Sequence, residues 1–201
     1  MNTKLPYIFL VIYILLFVVC GIEPYERTVW WAENLPVVIL VGIVAWLHRS
    51  HEFSYLSYFF MTFFIVLHTI GGHYTFEKVP FDWVKEFFSF ERNHYDRIAH
   101  FSVGFYAFPI AEILLKRQQV RSTFVLLTYP IFAIVTLAGV YEIFEWQYAI
   151  SADEDAGIAV LGSQGDIWDA QKDILADTLG SLFATAIFCC NYRHPLKQLT
   201  R

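Results

Sequence analysis

Long apolar runs separated by short polar connections dominate the pattern of this chain. Six of these runs reach or approach the about 20 residues that an α-helix needs to cross the hydrocarbon core of a bilayer. They cover residues 5–22, 35–47, 53–70, 98–115, 123–144 and 174–190. The pattern predicts an all-α, polytopic membrane helix bundle with six transmembrane helices. Because we find no internal repeat, we expect residues 1–201 to form a single integral-membrane domain.

The connection between the third and fourth runs contains a shorter amphipathic segment. Its apolar positions recur at helical spacing and its charged positions lie opposite them: Phe81, Val84, Phe87 and Phe88 against Asp82, Lys85 and Glu86. This pattern is typical of a helix that lies flat on a membrane surface. We therefore predict an interfacial helix in the third connection, placed where it can roof a cavity between the crossings.

The composition agrees with a lipid environment. The chain is 57% hydrophobic and only 16% charged, with a mean hydropathy of +0.46, whereas soluble domains carry about 25% charged residues. Cys20, Cys189 and Cys190 all fall inside apolar runs, so we interpret them as small hydrophobic residues rather than disulfides or zinc ligands. The first run has no small-residue cleavage site before Cys20, and we expect it to stay attached as a helix.

Charges are sorted between the two sides of the predicted bundle. With six crossings, the termini and the second and fourth connections share one side, which collects eight bases against Glu52 and Glu112. The bases are Lys4, Arg49, Lys116, Arg117, Arg121, Arg193, Lys197 and Arg201. Since Lys and Arg in short loops favour the cytoplasmic side, we predict cytoplasmic termini. Glu112 and Lys116, one helical turn apart, are interpreted as an interfacial pair without a chemical role.

The opposite side is strongly acidic. It holds the remaining 17 acids, 19 minus 2, against 6 bases, 14 minus 8. Such a surface does not by itself attract nucleic acid or free phosphate esters, but it attracts divalent cations or cationic ligands. We expect membrane lipids as partners and no nucleic acid.

Candidate chemistry gathers at this acidic side. In GSQGDIWDAQKDILADTLGS, residues 162–181, four aspartates occupy one helical stripe of about 80°. Because successive crossings run in opposite directions, the third and fifth runs end, and the fourth run begins, at this same surface. These ends carry further acids and imidazoles. The full set is His68 and His73, Asp96 and His100, Glu142 and Glu145, and Asp166, Asp169, Asp173 and Asp177.

So many acids near the membrane need compensation, because charged groups in a span are costly and like charges repel. Arg92, Arg97 and Lys172 could neutralise part of them as a salt-bridge network. Shared protons, which burial and like charges favour, are a second possibility. A divalent metal such as Mg, Mn, Zn or Fe, held by carboxylates and imidazoles, is a third.

Three functions follow from these possibilities. The first is a metal-dependent or acid-base enzyme acting on a lipid-linked or envelope substrate. It assigns His68, His73, Glu145, Asp169 and Asp173 to metal binding and Asp96, His100, Glu142 and Asp177 to catalysis. The others are an envelope-associated binding or structural protein and an ion-coupled transporter.

Several of these motifs resemble a known family. GGHYTFEKVP, RNHYDRIAHFSVGF, YEIFEWQ and GSQGDIWDAQKDILADTLG are similar to segments of the YjdF-like family of bacterial inner-membrane proteins, and the likeness extends over residues 67–181. The resemblance implies a polytopic protein of the bacterial inner membrane and no particular activity. YDRIAHFSVGF and DILADTLGSLFA are also similar to VanZ-like membrane proteins, which pair an Asp-x-x-x-His segment with a later Asp; this likeness implies no mechanism.

Overall fold

A computed structural model describes residues 4–199, and within this range it contains helices and turns but no strand. Arg201, counted above among the bases, lies outside the described residues. The α-helices are α1 (Leu5–Cys20), α2 (Arg27–His48), α3 (Tyr55–His73), α4 (Asp82–Phe88), α5 (Tyr95–Val103), α6 (Ala107–Lys116), α7 (Thr123–Ser151), α8 (Glu154–Leu161), α9 (Asp169–Asn191) and α10 (Arg193–Leu199). A 3₁₀ turn, Gly104–Tyr106, joins α5 to α6. The predicted all-α class is confirmed.

Five segments are long and apolar enough to cross a membrane. They are α2, α3, the continuous stretch Tyr95–Lys116, α7 and α9. The first predicted crossing corresponds to α1, which is apolar but has 16 residues. At 1.5 Å per residue it is about 24 Å long, less than the about 30 Å of a hydrocarbon core.

Two helices begin five or more residues earlier than their apolar runs. Helix α2 starts at Arg27, where the Glu26 carboxylate accepts a hydrogen bond from the Thr28 amide (3.1 Å), and it continues through Pro36. Helix α9 starts at Asp169 rather than at residue 174. Acidic residues interact favourably with the positive end of a helix dipole, so a polar first turn does not prevent the helix from forming. Three of the four aspartates in the stripe therefore lie within α9.

Helices α5 and α9 pack with their backbones in contact. A Cβ atom on Gly180 would lie 1.8 Å from the Phe101 carbonyl oxygen, and one on Gly104 would lie 2.2 Å from the Ser181 nitrogen. Small residues allow this close approach, which is a common way for membrane helices to associate. The two helices run in the same direction, so the first turns of α5 and α9 are held side by side.

Glu112 ties α6 to α3 at the other end of the bundle. Its side chain is fully buried, and it accepts hydrogen bonds from the Ser54 amide (2.8 Å), from the Ser54 hydroxyl (2.9 Å) and from the Ser57 hydroxyl. Lys116 also pairs with it. The predicted pair with Lys116 is present, but Glu112 lies in the core rather than at the interface, because its carboxylate accepts the otherwise free Ser54 amide at the start of α3.

Two short helices flank the end that carries the acidic residues. Helix α4 coincides with the predicted amphipathic segment, and its Phe87 is 78% exposed. The hydrophobic pattern did not predict α8. It packs against α7 and α2, and Gly157 permits the contact, because a Cβ there would lie 2.6 Å from the Ala149 carbonyl oxygen.

Candidate functional site

The guanidinium of Arg97 lies at the centre of a buried charge cluster formed by α5 and α9. It donates to one carboxylate oxygen of Asp173 and to one of Asp169. Arg92, from the loop before α5, reaches the same Asp169 oxygen at 2.5 Å. The arginines are therefore shared among the aspartates of the α9 stripe, which offsets part of the repulsion between them.

His100 sits one turn deeper and faces three carboxylates. Its Nε2 atom is 3.6 Å from an oxygen of Asp96 and 3.6 Å from an oxygen of Asp173, while Nδ1 is 3.3 Å from an oxygen of Asp177. The three aspartates are buried, Asp177 being only 1% exposed. Asp96, His100 and Asp173 each present one potential ligand atom, and these three atoms all lie within 4.8 Å of one another.

Helix α7 adds Glu142 to this cluster. The carboxylate lies within electrostatic range of His100 and of Asp96, Asp173 and Asp177. Its Oε1 atom is buried and accepts no hydrogen bond from the described residues, and the same holds for Oδ1 of Asp177. Unsatisfied buried carboxylate oxygens are rare, and they are expected where a ligand, an ion or water completes the site.

A second polar cluster lies nearby, where α2, α3 and α7 approach one another. The Tyr141 hydroxyl donates to the Glu33 carboxylate (2.7 Å), and His68 Nε2 is 3.2 Å from the same Glu33 oxygen. Glu145, also buried, interacts electrostatically with Glu33 and Glu142, and so connects the two clusters.

Both clusters border one largely apolar cavity of about 310 Å³, which is within the range of small-molecule sites. Its polar lining residues are His68, Asp96, His100, Tyr141, Glu145 and Asp177. Aliphatic and aromatic side chains of α2, α3, α5 and α7 form most of the remainder, together with Phe76 from the connection after α3 and Val160 and Leu161 of α8. The cavity thus has one end lined by ionisable side chains and one end lined by apolar side chains.

Outside the spanning helices, charges at the rim perturb two groups. Hydrogen bonds from the Lys172 ammonium and from the Trp168 amide lower the pKa of Asp166. Burial, together with the positive charges of Arg92 and Arg97, lowers the pKa of His94. The rim therefore favours an ionised Asp166 and a neutral His94.

Comparison with known proteins places the chain in a family. Residues 5–194 match the family described as predicted membrane protein (DUF2238). The chain is 31% identical over 189 residues to the inner membrane protein YjdF of Escherichia coli (strain K12), an alignment that covers 93% of this chain and 88% of that protein. The chain belongs to the DUF2238 family. No solved structure matches it. For this DUF2238 protein the predicted YjdF-like resemblance is confirmed, and so is its nature as a membrane protein.

The residues named from the sequence fall into three groups in this DUF2238 protein. Asp96, His100, Glu142, Asp169, Asp173 and Asp177 form the first cluster, and His68 and Glu145 belong to the second. His73 is directed elsewhere: its Nδ1 atom hydrogen-bonds to the Cys20 carbonyl oxygen (2.7 Å), and its ring packs on Tyr74. The structure does not bring His73 into contact with the other candidates.

Sequence reasoning missed Glu33 and Tyr141. Glu33 is 2% exposed, and it is the residue to which both Tyr141 and His68 bind. An acid three residues before Pro36 was a usable signal, because carboxylates within membrane spans are costly and usually functional. The apolar run begins only at residue 35, so hydropathy alone leaves Glu33 outside the predicted crossing.

Proposed function

We propose that this protein is a membrane-embedded, metal-dependent enzyme that acts on the polar group of a lipid-linked substrate. The observation that carries the proposal is the convergence of Asp96, His100 and Asp173 beside an apolar cavity. A mixed set of carboxylate oxygens and an imidazole nitrogen suits Mg, Mn, Zn or Fe as a divalent ion.

The spacing of these atoms supports one shared ion. Metal–ligand bonds of about 2.0 to 2.2 Å put two ligand atoms about 3 to 4 Å apart. The distances of 3.6 Å from His100 Nε2 to Asp96 and to Asp173 lie in that range. Asp177 lies 3.3 Å from the other ring nitrogen of His100, and we assign it as the carboxylate partner that would orient a metal-bound histidine.

The charges of the cluster also favour a divalent ion. The five carboxylates of the first cluster, Asp96, Glu142, Asp169, Asp173 and Asp177, supply five negative charges when ionised, and Arg92 and Arg97 supply two positive ones, which leaves an excess of three. A divalent cation offsets two of these three charges.

Glu142 is the residue that we assign as general base. Its Oε1 atom is buried without a hydrogen bond from the described residues, and its carboxylate lies within electrostatic range of His100 and Asp173. The cation would lower the pKa of a bound water, and Glu142 would hold the proton that this water releases.

The proposal divides the residues differently from the sequence-based assignment. Asp173 is a metal ligand in both. Asp96 and His100 move from catalysis to metal binding, and Asp169 becomes a partner of the two arginines. His68 and Glu145 become lining groups of the cavity.

The second candidate function is lipid binding without chemistry. The ion pairs of Arg97 with Asp169 and Asp173 favour it, because a network already neutralised by arginine can serve a structural purpose. In that case the carboxylates would hold the head of a lipid through hydrogen bonds, and the protein would not need a metal.

We also propose a topology of six crossings in the bacterial inner membrane, with α1 as a short first crossing and both termini in the cytoplasm. The similarity to an inner membrane protein supports the location. The exposed aromatic side chains of α4, with Phe87 and Trp83 foremost, support its assignment as the interfacial helix on the periplasmic side.

Metal analysis of detergent-purified variants tests the function. We expect about one divalent ion per chain in the wild type, and at least about a tenfold loss of affinity in Asp96→Asn and Asp173→Asn, as for removal of a ligand or its close support. Glu145→Gln is the matched control, since Glu145 is a buried carboxylate of the same cavity outside the triad.

The control separates the alternatives. Loss of metal in Glu145→Gln but not in Asp96→Asn would return the ligand set to the one predicted from the sequence. A wild-type protein that retains lipid but binds no metal would contradict the enzyme proposal and leave lipid binding.

A further inference from the structure

The cavity is enclosed unequally by its helices. Helices α3 and α5 pack against each other at its back, and α8 packs on both α2 and α7 above it. Helices α2 and α7 supply the two front walls, yet within residues 4–199 they make no extended contact with each other. The front of the cavity is therefore a gap between two membrane-spanning helices.

The exposure of the lining residues shows that this gap is open. Phe64 of α3 and Ala99 of α5, at the back, are 8% and 2% exposed. Leu137 and Val140 of α7 line the same cavity and are 58% and 57% exposed. Side chains that face both a cavity and the outside mark the opening, and here they are aliphatic, as the bilayer core requires.

Among the described residues, the gap is closed at its polar end. There the Tyr141 hydroxyl of α7 donates to the Glu33 carboxylate of α2, a tie that bridges the two front helices, and α8 lies across the top. Entry to the cavity from the water is thus narrowed, whereas entry from the hydrocarbon region of the bilayer remains open.

The depth of the cavity agrees with a substrate that stays in the membrane. From Glu145 to Leu137 the α7 wall descends eight residues, about 12 Å, whereas one leaflet contributes about 15 Å of hydrocarbon. A lipid chain whose head lies at the carboxylates would fill the cavity, and its tail would leave through the gap.

We propose that the gap between α2 and α7 is a lateral portal through which the hydrocarbon chain of an outer-leaflet lipid enters, placing the lipid head beside Asp96 and His100. The inference deepens the proposed function and rests on it for the chemistry at the head. The carboxylates around that head favour one rich in hydroxyl or amino donors.

Photo-crosslinking tests the portal. The protein is reconstituted in vesicles of phosphatidylethanolamine and phosphatidylglycerol that contain a phosphatidylethanolamine with a diazirine in its acyl chain. We expect label on Phe64, which is buried from bulk lipid but lines the cavity. Val140→Trp, which narrows the portal, reduces this label severalfold.

The control is Ile143→Trp, because Ile143 is 58% exposed on the same helix and does not line the cavity. It leaves the Phe64 label unchanged. Leu137→Trp is a second portal variant if Val140→Trp does not fold. Label confined to exposed side chains, or an equal fall in the portal and control variants, overturns the portal.

Metal content measured on the same samples keeps the two proposals separate. Asp173→Asn loses metal and retains the Phe64 label, whereas Val140→Trp retains metal and loses the label. A wild type without metal but with portal-dependent label contradicts the enzyme proposal alone. Bound metal without label at Phe64 contradicts the portal alone.

Discussion

Buried aspartates in a membrane protein need a positively charged partner, and Arg97 is that partner for two of them at once. Its planar guanidinium donates to Asp169 and to Asp173, which lie one turn apart on α9. A lysine ammonium is a point charge and does not reproduce this fork. The first cluster therefore depends on an arginine at position 97 as much as on the acids themselves.

Replacing Arg97 by Gln leaves the two buried carboxylates without their common partner. We expect the free energy of unfolding to fall by about 3 kcal/mol, the usual cost of breaking a buried ion pair from one side. Thermal unfolding in detergent measures the change. Lys172→Gln, which removes an ammonium that is 52% exposed, is the control and should have a much smaller effect. Equal losses in both variants would show that Arg97 pairs no more strongly than a surface residue.

At the scale of elements, the crossing of α5 and α9 sets the geometry of the first cluster. The contact at Gly104 and Gly180 aligns the two helices about one turn below His100 and Asp177. No side chain fits at position 180, because even a methyl group there would overlap the Phe101 carbonyl oxygen. The distance between the imidazole and the carboxylates is thus determined by two residues without side chains.

Gly180→Ala should force α5 and α9 apart. Overpacking of this kind costs about 1 to 3 kcal/mol, and the separation should also weaken metal binding at Asp96, His100 and Asp173. Gly139→Ala on α7 is the control, since a Cβ there meets nothing within 4 Å; it should be neutral or stabilise by about 0.5 to 1 kcal/mol. Unfolding and metal titration of both variants test this. Full metal affinity in Gly180→Ala would mean that the crossing does not position the site.

The whole molecule is polarised along the axis of its helices. Its two candidate clusters and the apolar cavity that they border lie at the end that carries α4 and α8, whereas Glu112 with Ser54 and Ser57 forms a closed structural tie at the other end. The candidate site and the helix anchor therefore lie at opposite ends. The proposed topology assigns the candidate site to the periplasmic side.

Cysteine labelling in intact cells tests that topology on a background without Cys20, Cys189 and Cys190. A membrane-impermeant maleimide should label Glu91→Cys directly, and Gln119→Cys only after permeabilisation. Lys4→Cys examines α1, because it is protected in intact cells only if α1 crosses the membrane. Labelling of Lys4→Cys from outside would reduce the bundle to the five longer spans.

The sequence by itself determined the all-α class and the five long apolar helices. Hydropathy over about 20 residues reports whether a helix is stable in lipid, and that property depends on local composition alone. Periodicity likewise identified the stripe of Asp169, Asp173 and Asp177, and helix direction predicted that His100 and Glu142 share its side. These conclusions need no knowledge of which helix packs on which.

Tertiary structure decided the pairing. Contacts between helices far apart in the chain decide which aspartates Arg97 neutralises. They also bring Tyr141 and His68 to Glu33, and they direct His73 to the Cys20 carbonyl oxygen. Burial of Glu112 at the start of α3 has the same origin. Helical periodicity specifies the direction of a side chain around its own axis, but the neighbour that it meets depends on how the helices are rotated and how closely they approach. For α5 and α9, the backbone contact at Gly104 and Gly180 sets how closely the two helices approach.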